Sequence, residues 1–346
     1  MKSGVSIVIC CHNSAKRLPE TLRHLAAQKV SGSLSWEVVV IDNASTDDTA
    51  ETARRCWPVP APAPMRVIFE PQAGLSHARI RGIREAQHEI ISFIDDDNWV
   101  AADWIERVNA IFAQHPEFGL CGGRADAVYE VEPPAWFERI KGFYALGSQH
   151  KVSGDVTDST GTLLWGAGLS MRTSAIRKLL DDGFVFTMSG RKGNSLLTGE
   201  DTELCFALRA LGWRFWYDDN LALRHFVPKA RLKWDYALRL MRGSGESSAL
   251  FALYLFALNG PPFDVYPAWK KTWLFQVLKT LRKFTGVILS HPEVCFRQPE
   301  GSPAALEFEQ LKSQLASLWA LRGRYKKLQE DIRQSAWAKV QPKRTE

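Results

Sequence analysis

The sequence predicts an α/β fold in which a mainly parallel sheet is flanked by helices and followed by a helical C-terminal extension. Apolar runs rich in Val and Ile alternate with amphipathic helical patterns over residues 5–114, which is the order expected of strands joined by crossover helices. Several of these runs end in polar residues, as parallel strands do where they reach a binding crevice. Beyond residue 228 the pattern changes to helical spacing without strand-like runs.

The predicted strands and helices of the first part of the chain follow one another closely. The first helix carries Leu18, Leu22 and Leu25 at helical spacing, and a Ser/Thr/Asp cluster caps the helix that begins at Thr49. The predicted strands cover residues 5–10, 36–41, 65–69 and 90–94, and the later predicted helices cover residues 49–55, 74–87 and 99–114.

Three consecutive carboxylates, Asp95, Asp96 and Asp97, directly follow the fourth predicted strand. Adjacent carboxylates repel one another, so such a cluster is costly unless a cation neutralises it. Oxygen ligands without nearby Cys or His favour Mg²⁺ or Mn²⁺, commonly shared with a phosphate. The alternative is a solvated turn that caps the helix beginning near Asp103, but the buried strand in front favours a metal and diphosphate site.

Four motifs in order give the chain a resemblance to family 2 glycosyltransferases of the GT-A fold. They are the first strand with Cys10-Cys11-His12-Asn13, residues 38–47 around Asp42, residues 74–79, and residues 93–97. The resemblance covers roughly the first 230 residues and implies a nucleotide-diphosphate-sugar donor, Mg²⁺ or Mn²⁺, and inversion at the anomeric carbon. The chain departs from the family pattern at Cys11, where Pro is common, and at Ile80, where Asn is usual.

The resemblance also implies roles for individual residues. Asp42 would bind the donor base, Asp95 or Asp96 would lie by the ribose, and Asp97 would bind the metal. The further implied residues are Asn13 and Arg79 for the donor, with Asp95 and His225 as additional metal ligands. Each has a structural alternative: Asp42 as a helix cap, Arg79 as an exposed surface residue and His225 as a structural residue at a strand end.

The predicted catalytic acids lie in the second part of the chain, where Glu200 and Asp201 open a helix. The helix dipole favours an ionised carboxylate in the first turn, which suits a base that deprotonates an acceptor hydroxyl. The resemblance places that role on Asp201, whereas a simple capping acid is the alternative. The glycine-containing and basic segment 189–195 would close over the diphosphate or form an ordinary surface loop.

The intervening segments are less regular. A short strand is predicted over residues 118–123, and residues 165–171 resemble the small-residue strand that lies under the family's reaction centre. Residues 126–158 are rich in Pro, Gly and aromatic residues without a clear period, so they form either the acceptor side or a surface insertion.

The C-terminal third is strongly basic. Residues 1–228 carry 24 Lys and Arg against 28 Asp and Glu, whereas residues 229–346 carry 20 against 10. Segment 268–289 places apolar residues, including Trp273 and Phe284, on one helical side and basic residues on the other. Such a helix either contacts an anionic membrane or packs on the catalytic domain. Segment 306–340 suits packing or self-association into a homo-oligomer, and no nucleic-acid-binding module is recognisable.

The composition of the chain is that of an ordinary globular protein, with 45% hydrophobic and 24% charged residues. No apolar run approaches the length of a membrane-spanning helix, and the chain enters a strand at once. The six scattered cysteines indicate reduced thiols rather than a disulfide framework. We therefore expect a cytoplasmic protein that is either free or peripheral on the inner face of the membrane.

Together these features predict a GT-A catalytic domain over residues 1–228 and a helical basic extension over residues 229–346. Within the catalytic domain, residues 1–125 would bind the nucleotide sugar, and residues 126–228 would form the acceptor side and carry the base. The expected reaction is inverting transfer of a sugar from a nucleotide-diphosphate donor, UDP above all. The acceptor would be a hydroxyl of a glycan or lipid-linked molecule in cell-envelope polysaccharide or glycoconjugate synthesis.

Two other functions compete with this prediction. A sugar-phosphate nucleotidyltransferase would need a glycine-rich, arginine-containing phosphate loop after the first strand, and residues 10–13 contain no glycine. A non-catalytic glycosyltransferase-like binding protein would not need all of its acids. The joint presence of Asp42, the aspartate cluster and Glu200-Asp201 therefore favours an enzyme.

Overall fold

One mixed sheet of nine strands forms the centre of the computed structural model, which describes residues 1–157, 163–187, 199–258 and 266–338. The strands are β1 (Lys2–Cys11), β2 (Trp36–Asn43), β3 (Met65–Glu70), β4 (His88–Phe93), β5 (Asn98–Val100), β6 (Phe118–Tyr129), β7 (Gly154–Asp155), β8 (Ser170–Arg172) and β9 (Arg214–Val227). The helices are α1 (Leu18–Ala26), α2 (Thr49–Cys56), α3 (Leu75–Glu85), α4 (Trp104–Gln114), α5 (Thr173–Asp181), α6 (Glu200–Ala210), α7 (Trp234–Ala257), α8 (Trp273–Ser290), α9 (Pro303–Ala320) and α10 (Tyr325–Gln334).

The strand order is β3-β2-β1-β4-β8-β6-β9-β5, and β7 pairs with β9. The first four strands pair in parallel, with Ile7 of β1 opposite Val38 of β2 and Ser92 of β4. Strand β8 then joins antiparallel to both β4 and β6, while β6 and β9 are parallel. The predicted parallel strands are therefore confirmed in the first half of the sheet, and the complete sheet is mixed.

Both faces of the parallel half are buried because its side chains alternate between two apolar layers. On one face, Ile7 and Ile9 pack in the same apolar cluster as the helix α1, whose three leucines are fully buried as the helical spacing predicts. On the other face, Val8 packs in a cluster with Ala78 and Ile83 of α3. The helices thus fix the strand ends of β1, β2 and β4 relative to one another.

Three boundaries differ most from the sequence prediction, and others shift by one to three residues, such as the start of β1 at Lys2 rather than residue 5. The helix predicted over residues 99–114 begins only at Trp104, because residues 98–100 pair with β9 as the short strand β5. The strand predicted over residues 165–171 is limited to Ser170–Arg172, and residues 166–168 form a turn instead. Strand β6 continues past residue 123 to Tyr129 through a register shift after Gly123.

The C-terminal helices pack on the sheet domain rather than forming a separate layer. Tyr254 of α7 donates a 2.6 Å hydrogen bond to Glu203 of α6, which joins the extension to the helix that carries the predicted base. Helices α7 and α9 approach closely at Gly245, where an added Cβ would lie 2.0 Å from the carbonyl oxygen of Gln310. In the described ranges, no helix combines the length and the apolar character needed to span a bilayer.

Candidate active site

A cavity of about 790 Å³ opens at the carboxyl ends of β1, β2 and β4. This edge of a parallel sheet is where α/β folds bind ligands, because the loops after the strands and the starts of the helices converge there. The cavity is lined by residues from the strand ends, from the first turns of α3 and α6, and from the C-terminal region, including Cys10, Asn43, Gly74, Arg79, Asp95, Asp96, Asp97, Trp165, Gly199, Glu200, Asp201, His225 and Arg231.

The three aspartates of the cluster lie in the tight turn between β4 and β5, and two of them are held by arginines. Arg17, which directly precedes α1, donates a 2.6 Å hydrogen bond to Asp96. Arg231 lies 3.1 Å from the carboxylate of Asp97, and the Nε2 atom of His225 lies 3.5 Å from its other oxygen. Asp95 is the most exposed of the three aspartates to the cavity. The turn therefore presents one carboxylate to a ligand and anchors the other two.

The pKa values of the cluster reflect this division. Burial, followed by the charge of neighbouring Asp97, raises the pKa of Asp95 to about 6. Burial alone would also raise the pKa of Asp97, but the charges of His225 and Arg231 outweigh burial and hold that pKa well below its ordinary value. The ionised form is thus most strongly favoured at Asp97, and a further cation near Asp95 would favour the ionised form of that carboxyl as well.

The residues around Asp97 fit a divalent cation that shares its ligands with a diphosphate. Among the described residues, no group of three or more His, Cys, Asp and Glu side chains is arranged to hold a metal alone. Mg²⁺ is nevertheless commonly held by one or two carboxylates while substrate phosphates and water complete its octahedron. Asp97 provides such a carboxylate, and the imidazole of His225 beside it offers a nitrogen ligand, since its Nδ1 atom is buried without a hydrogen-bond partner. Arg231 would share Asp97 with the cation.

A second group of charged residues joins α3, the turn at residues 166–168, and the start of α6. Arg79 is buried, lies 3.6 Å from Glu200 and stacks over Phe93. The backbone N–H of Gly166 donates a 2.7 Å hydrogen bond to Asp201. A Cβ at Gly166 would lie 2.5 Å from the Arg79 guanidinium and 3.3 Å from the Asp201 carboxylate, so a side chain at this position would displace the guanidinium.

Asp201 keeps its carboxylate at the cavity wall through local hydrogen bonds. One oxygen accepts the N–H of Gly166, and the other accepts the N–H of Thr202 at 2.8 Å. Both donors are backbone groups, which fix the carboxylate without removing its negative charge. The structure therefore brings Asp201 and Glu200 into the same cavity as the aspartate cluster, although about a hundred positions of sequence separate them.

Two predicted donor-binding residues do not line the cavity. Asp42 is buried at the end of β2 and accepts the N–H of Ser45 at 3.3 Å. Asn13 has a left-handed backbone, and its side-chain oxygen accepts the N–H of Thr46 at 2.8 Å, which ties the loops after β1 and β2 together. Neither residue is among those that line the described cavity. Their predicted contacts with a donor base remain predictions.

Several lining residues were not singled out from the sequence. Arg17 and Arg231 have no motif around them, and only the fold reveals that they face the aspartates. Asn43 follows Asp42 directly and holds the loop before α3 through hydrogen bonds to Gln72 and Gly74. Other lining residues of this kind belong to the walls of the cavity and include Arg139, Phe143, Tyr144, Ser244, Ser247 and Phe251. The predicted loop 189–195 lies outside the described residues.

These features define an α/β protein with a charged cavity at the carboxyl edge of the parallel strands. The profile of the family described as glycosyl transferase family 2 matches residues 6–180, which is half of the chain. The chain belongs to this family. Its relatives include a glucosyl-dolichyl phosphate glucuronosyltransferase of Haloferax volcanii, which is 21% identical over 164 residues, or 47% of this chain and 51% of the relative. The chain thus spans about half the length of such curated relatives.

Solved structures share the fold over nearly the whole chain. The S. aureus protein TarS 1-349 in complex with UDP-GlcNAc matches with a TM-score of 0.54 and 18% identity, over 96% of this chain and 92% of that one. The mannosyltransferase PcManGT of Pyrobaculum calidifontis, in complex with GDP-Man and Mn²⁺, matches with a TM-score of 0.57 and 17% identity, over 92% and 88%. The predicted GT-A fold with a helical C-terminal region is confirmed.

Proposed function

We propose that this protein is a metal-dependent inverting glycosyltransferase that uses a nucleotide-diphosphate sugar. The observation that carries the proposal is the position of Asp201, whose carboxylate lines the same cavity as the aspartate cluster. A base and a diphosphate site in one cavity are what a single displacement at a sugar carbon requires, with the acceptor and the leaving group on opposite sides of that carbon.

The donor is proposed to be a UDP-sugar. Family membership supports a nucleotide-sugar donor, and the structural neighbour TarS 1-349 was determined with UDP-GlcNAc, whereas PcManGT was determined with GDP-Man. Asp42 would bind the base, and Asp95 and Asp96 would lie towards the ribose. Asn13 would support the base-binding loop through its contact with Thr46. Arg79 would contact the diphosphate, since its Nη1 atom lies at the cavity without a hydrogen-bond partner.

A divalent cation, Mg²⁺ or Mn²⁺, is proposed to be held by Asp97 and His225, with Asp95 beside them. When bound, the cation would neutralise charge that develops on the departing diphosphate. Arg79 and Arg231 provide further positive charge at the same cavity, within reach of Glu200 and Asp97 respectively. Together with the cation, these two arginines would place positive charge beside the departing phosphate among the acids of the cavity, as electrostatic stabilisation of that group requires.

Asp201 is proposed to accept the proton of the acceptor hydroxyl. As the acceptor oxygen bonds to the anomeric carbon, the bond from that carbon to the diphosphate oxygen breaks, and the diphosphate leaves with the electron pair. The hydroxyl proton passes to the Asp201 carboxylate. One displacement of this kind inverts the anomeric configuration. Glu200 pairs with Arg79 and would hold that arginine in place.

The acceptor is proposed to be a hydroxyl of a glycan or a lipid-linked glycan in envelope polysaccharide or glycoconjugate synthesis. The named relative from Haloferax volcanii acts, by its name, on a glucosyl-dolichyl phosphate, which supports a lipid-linked acceptor. The cavity wall formed by Phe143, Tyr144 and Phe251 offers aromatic surface on which sugar rings can stack. A cytoplasmic position, free or on the inner face of the membrane, and self-association through the C-terminal helices also remain predictions.

The substitution Asp201→Asn tests the role of the base. The amide cannot accept the proton, so transfer from a panel of UDP-sugars to lipid-linked or oligosaccharide acceptors should fall by about 10²- to 10⁴-fold. UDP affinity, measured by calorimetry with Mn²⁺, should remain within about twofold. Asp181→Asn, which changes an exposed acid on α5, is the control. Undiminished transfer by Asp201→Asn would refute the assignment of the base. If the wild-type protein instead incorporates a nucleoside triphosphate and releases pyrophosphate, it is a nucleotidyltransferase.

A further inference from the structure

An exposed apolar stripe runs along helix α8. Leu274, Leu278, Leu281 and Leu289 are 58%, 54%, 42% and 83% exposed. Their separations of four, three and eight residues place them on one side of the helix, one above the other. Single exposed leucines are ordinary, but Leu274, Leu278 and Leu281 are adjacent on one helix side, and Leu289 lies on the same side two turns further along, beyond the exposed Thr285. We call these four residues the leucine stripe.

The leucine stripe is not the apolar side that holds α8 on the protein. Trp273 donates a 2.7 Å hydrogen bond to the carbonyl oxygen of Leu318 in α9, and Phe284 stacks on Phe308 of the same helix at 5.1 Å. Val277 packs in a cluster with Leu318. These residues belong to the side that the sequence predicts to be apolar, and in the structure they face α9. Helix α8 therefore has further apolar surface next to its packed side, and the fold leaves this surface exposed.

Basic side chains border the leucine stripe. Residues 266–291 contain five Lys and Arg and no Asp or Glu. Lys279, Arg282 and Lys283 are exposed. Among the described residues, none of these three lies within ion-pair distance of an acidic group. An apolar strip beside uncompensated positive charge fits a partner that is both apolar and anionic.

We infer that the leucine stripe and Lys279, Arg282 and Lys283 dock the protein on an anionic lipid surface. Leucines on one side of a helix can enter the boundary between headgroups and acyl chains, while the long basic side chains reach the headgroups. Trp269, which is 59% exposed just before α8, is a residue type enriched at this boundary. A second copy of the chain fits less well, because apolar contact between two stripes would leave Lys279, Arg282 and Lys283 without an anionic partner.

This docking surface lies outside the catalytic cavity, so the proposal goes beyond the proposed function and can fail without it. The experiment uses the full chain and measures co-sedimentation with two kinds of vesicle, pure phosphatidylcholine and equal parts of phosphatidylcholine and phosphatidylglycerol. The wild-type protein should sediment with the anionic vesicles, and raised salt should weaken this binding. Binding to the neutral vesicles should be at least about tenfold weaker.

Two triple variants and two matched controls separate the contributions. Leu274→Ser with Leu278→Ser and Leu281→Ser should weaken vesicle binding by about tenfold or more, as should Lys279→Gln with Arg282→Gln and Lys283→Gln. The apolar control replaces three other exposed residues, Val59→Ser, Val152→Ser and Val185→Ser. The charge control is Arg54→Gln with Arg55→Gln and Arg84→Gln. Both controls should bind vesicles like the wild type.

Several results would overturn the inference. The inference fails if the wild-type protein does not bind anionic vesicles or binds both vesicle types equally. It also fails if the leucine triple variant binds anionic vesicles as strongly as the wild type. Light scattering without lipid gives a separate check, because a wild-type dimer that the leucine variant converts to monomers would identify the stripe as a self-association surface. Circular dichroism and UDP affinity, unchanged in all variants, establish that the variants are folded and that the catalytic cavity is intact.

Discussion

Each arginine that lines the acidic end of the cavity lies against a particular carboxylate. Arg17 holds Asp96, Arg231 holds Asp97, and Arg79 lies by Glu200. Without such partners, clustered and buried carboxylates would be protonated or would destabilise the fold. The arginines therefore stabilise an acidic site before any donor binds, and a cation that binds there must share Asp97 with Arg231.

The substitution Arg231→Gln tests this competition at the level of one residue. Removal of the guanidinium leaves Asp97 with His225 alone, so the metal-free protein should be less stable by about 1 to 3 kcal/mol. Mn²⁺ should raise the melting temperature of the variant by about 2 °C or more beyond its effect on the wild type, because the cation no longer competes with an arginine. Thermal unfolding with and without Mn²⁺ measures both quantities.

The control for this experiment is Arg139→Gln, which removes another cavity-lining arginine. Among the described residues, Arg139 makes no ion pair with the aspartates, so its replacement should leave the Mn²⁺ effect unchanged. An Mn²⁺ effect in Arg231→Gln that is equal to or smaller than that of the wild type would contradict a shared Asp97.

The sequence predicted the acidic residues of the site better than the arginines that contact them. The aspartate cluster and Glu200-Asp201 are recognisable because each follows a strand pattern or opens a helix pattern within a few residues. Arg17 lies in the middle of a polar segment and Arg231 in a short 3₁₀ turn, and nothing local distinguishes them from exposed arginines. Their contacts depend on how distant segments pack, and periodicity carries no information about such contacts.

At the level of elements, long periodic segments were predicted and short ones were not. Strands β1 to β4 and helix α6 have enough apolar residues to show their period. Strands β5 and β8 have three residues each, and they exist because β9, β4 and β6 supply pairing partners. Helix α8 was predicted as a helix. The sequence could not show which of its apolar residues pack on α9 and which stay exposed, because helical spacing does not say where a neighbouring helix lies.

The crossing of α7 and α9 depends on a glycine. At Gly245 an added Cβ would lie 2.0 Å from the backbone oxygen of Gln310, and a backbone atom cannot move aside as a flexible side-chain end can. Gly245→Ala should therefore force the helices apart and lower the free energy of unfolding by about 3 kcal/mol, despite a gain in helix propensity of about 1 kcal/mol. Urea unfolding followed by circular dichroism measures the change.

Gly286→Ala in α8 is the matched control, because a Cβ at Gly286 meets no atom within 4 Å. Its only expected effect is the helix propensity of alanine, which should stabilise the protein by up to about 1 kcal/mol. If both substitutions change stability in the same direction, the close helix crossing at Gly245 does not limit the fold.

For the whole molecule, the catalytic cavity extends past the predicted domain boundary at residue 228. Arg231 contacts Asp97, and Ser244, Ser247 and Phe251 of α7 line the same cavity. We therefore propose that the predicted catalytic domain and the extension act as one unit. The boundary was placed where strand patterns end, and a change of secondary structure does not reveal whether two segments share a site.

The parallel half of the sheet is tied together by a buried carboxylate, which makes the stability of the whole molecule depend on pH. Glu37 of β2 is only 4% exposed and accepts hydrogen bonds from Ser6 of β1, the N–H of Gln87 and Arg66 of β3. Burial alone would raise the pKa of Glu37. The hydrogen bonds from His88, Ser6, Gln87 and Arg66 together outweigh burial and lower this pKa to about 2.

A lowered pKa in the folded state means that the carboxylate stabilises the fold when it is ionised. Its contribution is fully present above the ordinary pKa of glutamate, about 4.3, and is lost as the pH falls from there towards about 2. Glu37→Gln should therefore be less stable than the wild type at pH 7 by about 2 to 3 kcal/mol, and this difference should narrow steadily below about pH 4. Urea unfolding of both proteins between pH 7 and about pH 3 measures the difference.

The exposed Glu51→Gln is the control, and its difference in stability from the wild type should stay near zero throughout. A constant difference for Glu37→Gln over this range would show that the residue acts through packing rather than through its charge.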